Sequence, residues 1–143
     1  MTEEAQRKLS SADVQAIFDR SPFIGWLGLE VVALDHERQE ITVTMTMRPE
    51  LERRPGSRQF HGGPIAAFID ITGDFAIGML VGGGVPTINL RTDYLRPAIG
   101  GALTAVARVR RIGKMAAVVD IEVLDDEKKL VALGRGTYSS TAA

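Results

Sequence analysis

His61-Gly62-Gly63-Pro64-Ile65-Ala66-Ala67-Phe68-Ile69-Asp70-Ile71-Thr72-Gly73-Asp74-Phe75-Ala76-Ile77-Gly78-Met79-Leu80 is the stretch on which the architecture turns. Ile65, Ile69, Thr72, Ala76 and Leu80 recur at three- and four-residue spacing, the repeat of a helix face. Small residues Ala66, Ala67, Gly73 and Gly78 let other backbone come close. The predicted helix runs from Ile65 to about Leu80. Pro64 suits its first turn because the missing N–H has no partner to lose there. Gly82-Gly83-Gly84 ends it. A helix this long with so little charge must be wrapped by other elements.

The flanking sequence supplies them. Residues 1–9 are polar and expected to fray, and Ser10-Ser11-Ala12-Asp13 offers N-cap chemistry for a short helix to about Arg20. Ser21-Pro22 is expected to stop that helix. Leu27–Leu34 and Ile41–Met47 read as strands, the second alternating apolar residues with Thr, and Asp35-His36-Glu37-Arg38 is a polar turn between them. Residues 48–60 form a charged loop broken by Pro49, Pro55 and Gly56. After the glycine run come strands at Pro86–Leu95, Gly101–Ile112, Met115–Leu124 and Leu130–Ser139. Gly113 and the cluster Asp125-Asp126-Glu127-Lys128 punctuate the last three as antiparallel hairpins. The expected fold class is α+β: one domain over residues 1–143, with six strands in a curved antiparallel sheet around one central helix.

Composition narrows the function. Seventeen Lys and Arg against eighteen Asp and Glu give a net charge of −1, without the basic field that nucleic-acid or membrane-surface binding needs. The chain has no cysteine, which removes disulfides, thiolate metal sites and a Cys nucleophile together. It fits a reducing, cytoplasmic setting. The acidic start Met1-Thr-Glu-Glu precedes no apolar run of a signal peptide. The longest apolar stretch, Phe75 to Val85, is interrupted by glycines and falls short of the ~20 residues of a membrane span. No G-x-S-x-G and no H-x-x-x-H occur, so neither a nucleophile elbow nor a bound metal is expected.

Two histidines are present. His36 lies in a charged turn and reads as a solvated surface residue. His61 precedes two glycines at a helix start, where free N–H groups and the positive end of the helix dipole suit a polarised carbonyl oxygen. A plain structural turn would look the same. Asp70 strengthens the site, because a carboxylate within an apolar helix calls for a partner or a task. The bland alternative is a carboxylate facing a loop. Asp74, one turn later, either raises the pKa of its neighbour or hydrogen-bonds nearby backbone. Gly62 and Asp70 are separated by ~12 Å along the helix. If both serve one site, that site combines Gly62 of one protomer with Asp70 of another, in a two-fold homodimer. A dimer of dimers is the expected assembly.

Taken together these segments resemble the PaaI-like branch of the hotdog thioesterases. The resemblance runs from Phe23-Ile-Gly-Trp-Leu-Gly-Leu-Glu-Val to Ala132-Leu-Gly-Arg-Gly-Thr and centres on His61-Gly-Gly-x6-Asp70. Thr87-Ile-Asn-Leu-Arg-Thr-Asp-Tyr-Leu-Arg-Pro97 is similar to the strand that follows the central helix in that family, and Arg110-Arg-Ile-Gly-Lys114 to its hairpin turn. It implies a hotdog fold that hydrolyses acyl-CoA thioesters without a cofactor, CoA being part of the substrate. Asp70 would be general base or nucleophile, the Gly62 N–H would polarise the thioester carbonyl, His61 would hold the turn, and Thr87 would help position water. Tyr94, Arg96, Arg111, Gly113 and Lys114 would contact CoA, with Arg110 adding to the phosphate-binding charge. Plain surface solvation is the alternative for these. The sequence departs from the family at Pro55, where relatives commonly carry an Asn or Gln, with Gln59 or a shifted loop as the substitute. Asp74 departs too, at a position usually small or hydroxylated. Phe18, Phe23, Trp26, Phe60 and Phe68 are candidates to shape the acyl pocket, or simply core. An enoyl-CoA hydratase on the same fold and a non-catalytic acyl-CoA binder are the competing functions.

Overall fold

Ser10 opens the first helix by a reciprocal box. Its Oγ accepts from the Asp13 N–H at 3.1 Å, and the Asp13 carboxylate accepts from the Ser10 N–H at 2.9 Å, an arrangement worth ~1 kcal/mol. The helix, α1, spans Ser11–Arg20 and buries Val14 and Phe18. The computed structural model describes residues 7–143. Of the segment expected to fray, residues 1–6 lie outside the described residues. Leu9 is docked, with its N–H on the Met79 carbonyl at 2.8 Å. The His36 Nε2 lies 2.7 Å from the Leu9 carbonyl oxygen and donates to it. His36 is therefore a half-buried tie between turn and N-terminal segment, and the solvated reading is corrected.

Pro22 starts a helix where a break was expected. Ser21 caps α2, Pro22–Leu27, with Pro at its first position, where a missing N–H costs nothing. The strand expected from Leu27 begins only at Glu30. Strands β1 (Glu30–Asp35) and β2 (Glu40–Thr46) form a hairpin whose turn is held by Asp35, its Oδ1 accepting from the Glu37 and Arg38 N–H groups at 3.0 Å each. A short 3-10 turn, Pro49–Leu51, leads through the charged loop to α3, Gly62–Val81. Then follow β3 (Thr87–Tyr94), β4 (Ala102–Ile112), β5 (Ala116–Leu124) and β6 (Leu130–Ser139).

All six strands form one antiparallel sheet in the order β1-β2-β4-β5-β6-β3. Alternation aims Ile41, Val43 and Met45 of β2, Leu103, Ala105 and Ala107 of β4, and Ala117, Val119, Ile121 and Val123 of β5 at α3. The alanines let the helix sit close. This is the hotdog fold, and it explains why α3 is apolar nearly all round: Phe68, Ile71, Phe75, Ile77 and Met79 are buried beside the expected face. By length and composition α3 is apolar enough to cross a membrane, which corrects the reading of the apolar stretch as too short. Most of it is buried in the fold instead. Gly82, at φ 95°, ends α3 in the left-handed region. Both sheet edges, β1 and β3, are largely exposed.

Candidate active site

The start of α3 is left chemically open. His61 is its N-cap in extended conformation and supplies no side-chain cap; its own N–H is tied to the Leu51 carbonyl at 2.8 Å. The first helical N–H groups thus point outward with the positive end of the dipole. The turn is held by backbone, and the His61 imidazole is exposed. Tyr94, at the end of β3, donates its hydroxyl to the Gly62 carbonyl at 2.8 Å. A Cβ on Gly62 would lie in ordinary contact with the Tyr94 ring, 3.4 Å away. Around them a cleft of about 370 Å³ is lined by Arg53, Gln59, Gly62, Tyr94 and Arg96 among others.

Asp70 lies two turns further on, along a stripe of α3 that its own sheet does not cover. Ala66, Ala67, Asp70 and Asp74 are all only half-buried. Thr87, exposed at the first position of β3, donates its hydroxyl to Asp70 Oδ1 at 2.8 Å. Behind the helix, Tyr138 of β6 is fully buried and donates to the Asp70 backbone carbonyl at 3.0 Å. Gly73 and Gly136 make room for that ring, since a Cβ on either would collide with it. Burial, then the charges of Asp70 and Asp74, push the Tyr138 hydroxyl far up, so it stays a donor. Sequence reasoning missed Tyr138. The available signal was an inward tyrosine two residues beyond Gly136, opposite a helix glycine.

Asp74 resolves toward backbone: its Oδ1 accepts from the Val85 N–H at 2.8 Å. Burial raises its carboxyl to about 7, against the lowering effect of that N–H and with a smaller push from the Asp70 charge.

The predicted residues fall into two groups. Gly62 and Asp70 are ~12 Å apart along α3, and Thr87 and Tyr94 mark opposite ends of β3, ~23 Å apart at strand spacing. Tyr94 and Arg96 join His61 and Gly62. The hairpin of Arg111, Gly113 and Lys114 joins the Asp70–Thr87 end, because the Ser140 N–H meets the Met115 carbonyl at 3.1 Å and the Ser139 N–H meets the Pro86 carbonyl at 2.9 Å. Arg110 does not belong with them. Its Nε donates to Asp120 at 2.8 Å, and Asp120 also takes Arg135, so Arg110 is an ion-pair member on the outer sheet face.

The family model of the thioesterase superfamily matches residues 60–132, from the residue before His61 through α3 into β6. The chain belongs to the thioesterase superfamily. Acyl-coenzyme A thioesterase PaaI of Escherichia coli K12 is 30% identical over 128 residues, covering 87% of this chain and 86% of that one. The solved structure of E. coli PaaI, from the phenylacetic acid degradation operon, superposes with a TM-score of 0.78 at 29% identity over 90% of each chain. Another crystal structure from the thioesterase superfamily reaches 0.80 at 38% identity, covering 87% of this chain and 92% of that one. The medium/long-chain acyl-CoA thioesterase YigI of E. coli K12 is 27% identical over 136 residues, 82% of this chain and 84% of the relative.

In this thioesterase the loop around Pro55 leads to the cleft at the start of α3. Pro55 sits exposed at its tip, while Gln59 is half-buried and lines the cleft beside Gly62. Gln59 is therefore a side-chain amide placed in the cleft at the helix start. Of the five candidate pocket aromatics, Phe18 and Phe68 are core, and Phe60, also buried, lines the cleft beside Gly62. Phe23 and Trp26 stack at 6.4 Å on the surface, with the Arg48 guanidinium 4.3 Å over the Trp26 ring. Among the described residues, no three His, Asp or Glu side chains are grouped to hold a metal ion.

Proposed function

We propose that this thioesterase hydrolyses acyl-CoA thioesters to a free carboxylic acid and CoA, with Asp70 as the group that activates attack. The bond from the Thr87 hydroxyl to Asp70 Oδ1 carries the reading. It holds the carboxylate at a half-open stripe of helix, and Oδ2 has no hydrogen-bond partner among the described residues. A water bound to Oδ2 loses its proton to the carboxylate as its oxygen attacks the thioester carbonyl. The carbonyl oxygen takes up negative charge and the C–S bond then breaks, releasing CoA as the thiolate. Direct attack by Asp70, forming a mixed anhydride that water cleaves, gives the same products. The uncapped Gly62 N–H, with the helix dipole behind it, is the donor suited to the developing oxyanion.

Gly62 cannot reach the carbonyl that Asp70 serves in its own chain, so a second copy supplies it. In a two-fold homodimer the His61–Gly62–Tyr94–Arg96 end of one protomer meets the Asp70–Thr87–Arg111–Gly113–Lys114 end of the other, twice. The cationic side chains of both ends then bracket the phosphates of one CoA, and two such dimers pair into a dimer of dimers. The lack of cysteine suits work in the cytoplasm. The relatives PaaI and YigI, named as acyl-CoA thioesterases, support this substrate class. The test is steady-state hydrolysis of aryl-, short- and medium-chain acyl-CoAs by wild type and Asp70→Asn. We expect kcat to fall at least ~100-fold in the variant on the best substrate; equal turnover on every substrate removes Asp70 from the reaction.

A further inference from the structure

Asp74 remains unused by that chemistry, although it is a carboxylate in an otherwise apolar helix. Its geometry links it to Thr87. The Gly82-Gly83-Gly84 turn folds tightly back on α3: the Gly82 and Gly83 N–H groups both reach the Gly78 carbonyl, at 2.9 and 3.0 Å. A Cβ on Gly78 would come within 2.7 Å of the Gly83 oxygen. Three consecutive glycines have the widest backbone freedom of any tripeptide, so the turn needs an external hold to launch β3 in one direction. Asp74 provides it at the turn's far end, through the 2.8 Å bond to the Val85 N–H. Val85 is buried, Pro86 restricts the next φ, and Thr87 follows at once.

The sheet does not do this work alone. β3 is an edge strand paired only with β6, and its register is irregular between Thr87 and Asn89. Backbone bonds hold the chain on either side of Val85, from the Ala143 N–H to the Gly84 carbonyl and from the Ser139 N–H to the Pro86 carbonyl, both at 2.9 Å. A bulge re-aims a side chain, and Asp74 adds the side-chain contact on the amide between those two bonds. We infer that Asp74 is a positioning residue that clamps the Val85 amide and thereby holds the Thr87 hydroxyl on Asp70. The inference rests on the reading of Asp70 and Thr87 as one reacting pair. What the clamp needs is an acceptor oxygen at this reach, which an asparagine also has.

The experiment compares wild type, Asp74→Asn and Asp74→Ala by amide hydrogen exchange at Val85 and by kcat and KM on the best acyl-CoA. In Asp74→Ala the Val85 amide is expected to exchange at least ~10-fold faster, with kcat down about 10- to 100-fold and KM within about 3-fold, because a small misplacement acts on the reacting geometry more than on binding. Asp74→Asn is expected to restore both readouts to within about 3-fold of wild type. Asp74→Leu, which fills the space without an acceptor, replaces the alanine variant if that one does not fold. An acceptor-less variant with wild-type kcat overturns the inference, and so does an asparagine variant as slow as the alanine one. Hydrogen exchange reads the clamp without turnover, so failure of the Asp70 reading, seen as an active Asp70→Asn, is distinguishable from failure of the clamp.

Discussion

The Thr87 hydroxyl donates to Asp70 Oδ1 at 2.8 Å although the two residues stand 17 positions apart and on different elements. One lies mid-helix, the other at the first position of an edge strand, and the glycine turn between them brings the strand back across the helix. The hydroxyl fixes one carboxylate oxygen and leaves the other facing the open stripe.

Removing that hydroxyl while keeping the shape isolates its contribution. Thr87→Val is expected to lower kcat by about 10-fold or more, the scale of one lost charge-assisted hydrogen bond, with KM nearly unchanged. Thr87→Ser, which retains the donor, recovers most of the rate. Steady-state kinetics on one acyl-CoA checks both, and equal loss in the two variants would mean that the methyl group matters instead.

The two-chain site predicts complementation. Gly62→Pro removes the N–H proposed for the carbonyl, and the position suits proline because it opens a helix after an extended His61 (φ −64°, ψ 152°). Asp70→Asn removes the carboxylate. Each variant alone is expected to be inactive, while co-refolded in equal amounts they regain about a quarter of wild-type activity, since half the dimers are mixed and each carries one intact site. No recovery after verified subunit exchange would sink the shared site.

Asp74 makes stability fall as pH rises. Its folded value of about 7 lies above the ordinary 3.8, so between those values the folded protein holds a proton the unfolded chain has released. Stability therefore declines across that window, and the penalty is complete above about pH 7. Asp74→Asn removes it and still accepts from Val85. The variant is expected to gain little at pH 4 and on the order of 1–3 kcal/mol at pH 8, allowing for partial exposure. Urea titrations at both pH values check the sign.

Gly73→Ala introduces a methyl group where the Tyr138 hydroxyl already sits. Overpacking of this kind costs about 1–3 kcal/mol, seen as a lower Tm. Tyr138→Phe removes the closest contact, the hydroxyl, and its hydrogen bond to the Asp70 carbonyl. The ring carbon at 2.9 Å and Ile121 at 3.0 Å still crowd the methyl group, so the double variant is expected to recover part of the stability lost in Gly73→Ala. A double variant no better than the single would place the strain elsewhere.

The charged side chains divide by partner. Arg96→Ala, Arg111→Ala and Lys114→Ala are each expected to raise KM for acyl-CoA several-fold, more steeply at low salt. Arg110→Ala is expected to leave KM unchanged, because Arg110 is occupied by Asp120. KM measured against ionic strength separates the two classes.

The sequence by itself determined the order of elements, because hydrophobic period and turn chemistry are local. The α3 repeat, the Thr alternation of β2, the N-cap chemistry of Ser10–Asp13 and the hairpin at Gly113 are each read within one continuous segment. His61-Gly62-Gly63 and Asp70 were legible for the same reason: a carboxylate and a glycine pair stand out against an apolar helix. Local reading failed at Pro22, where one residue type both ends and begins helices, and at His36, whose partner Leu9 lies 27 positions away. The tertiary structure alone decided what long-range contact decides. It set Tyr138 against Gly73, gave Asp74 the Val85 amide, committed Arg110 to Asp120, and sorted the predicted residues into two ends of one strand. Those pairings depend on strand order and on which side chains the turns bring face to face, and no periodicity along a single segment encodes them.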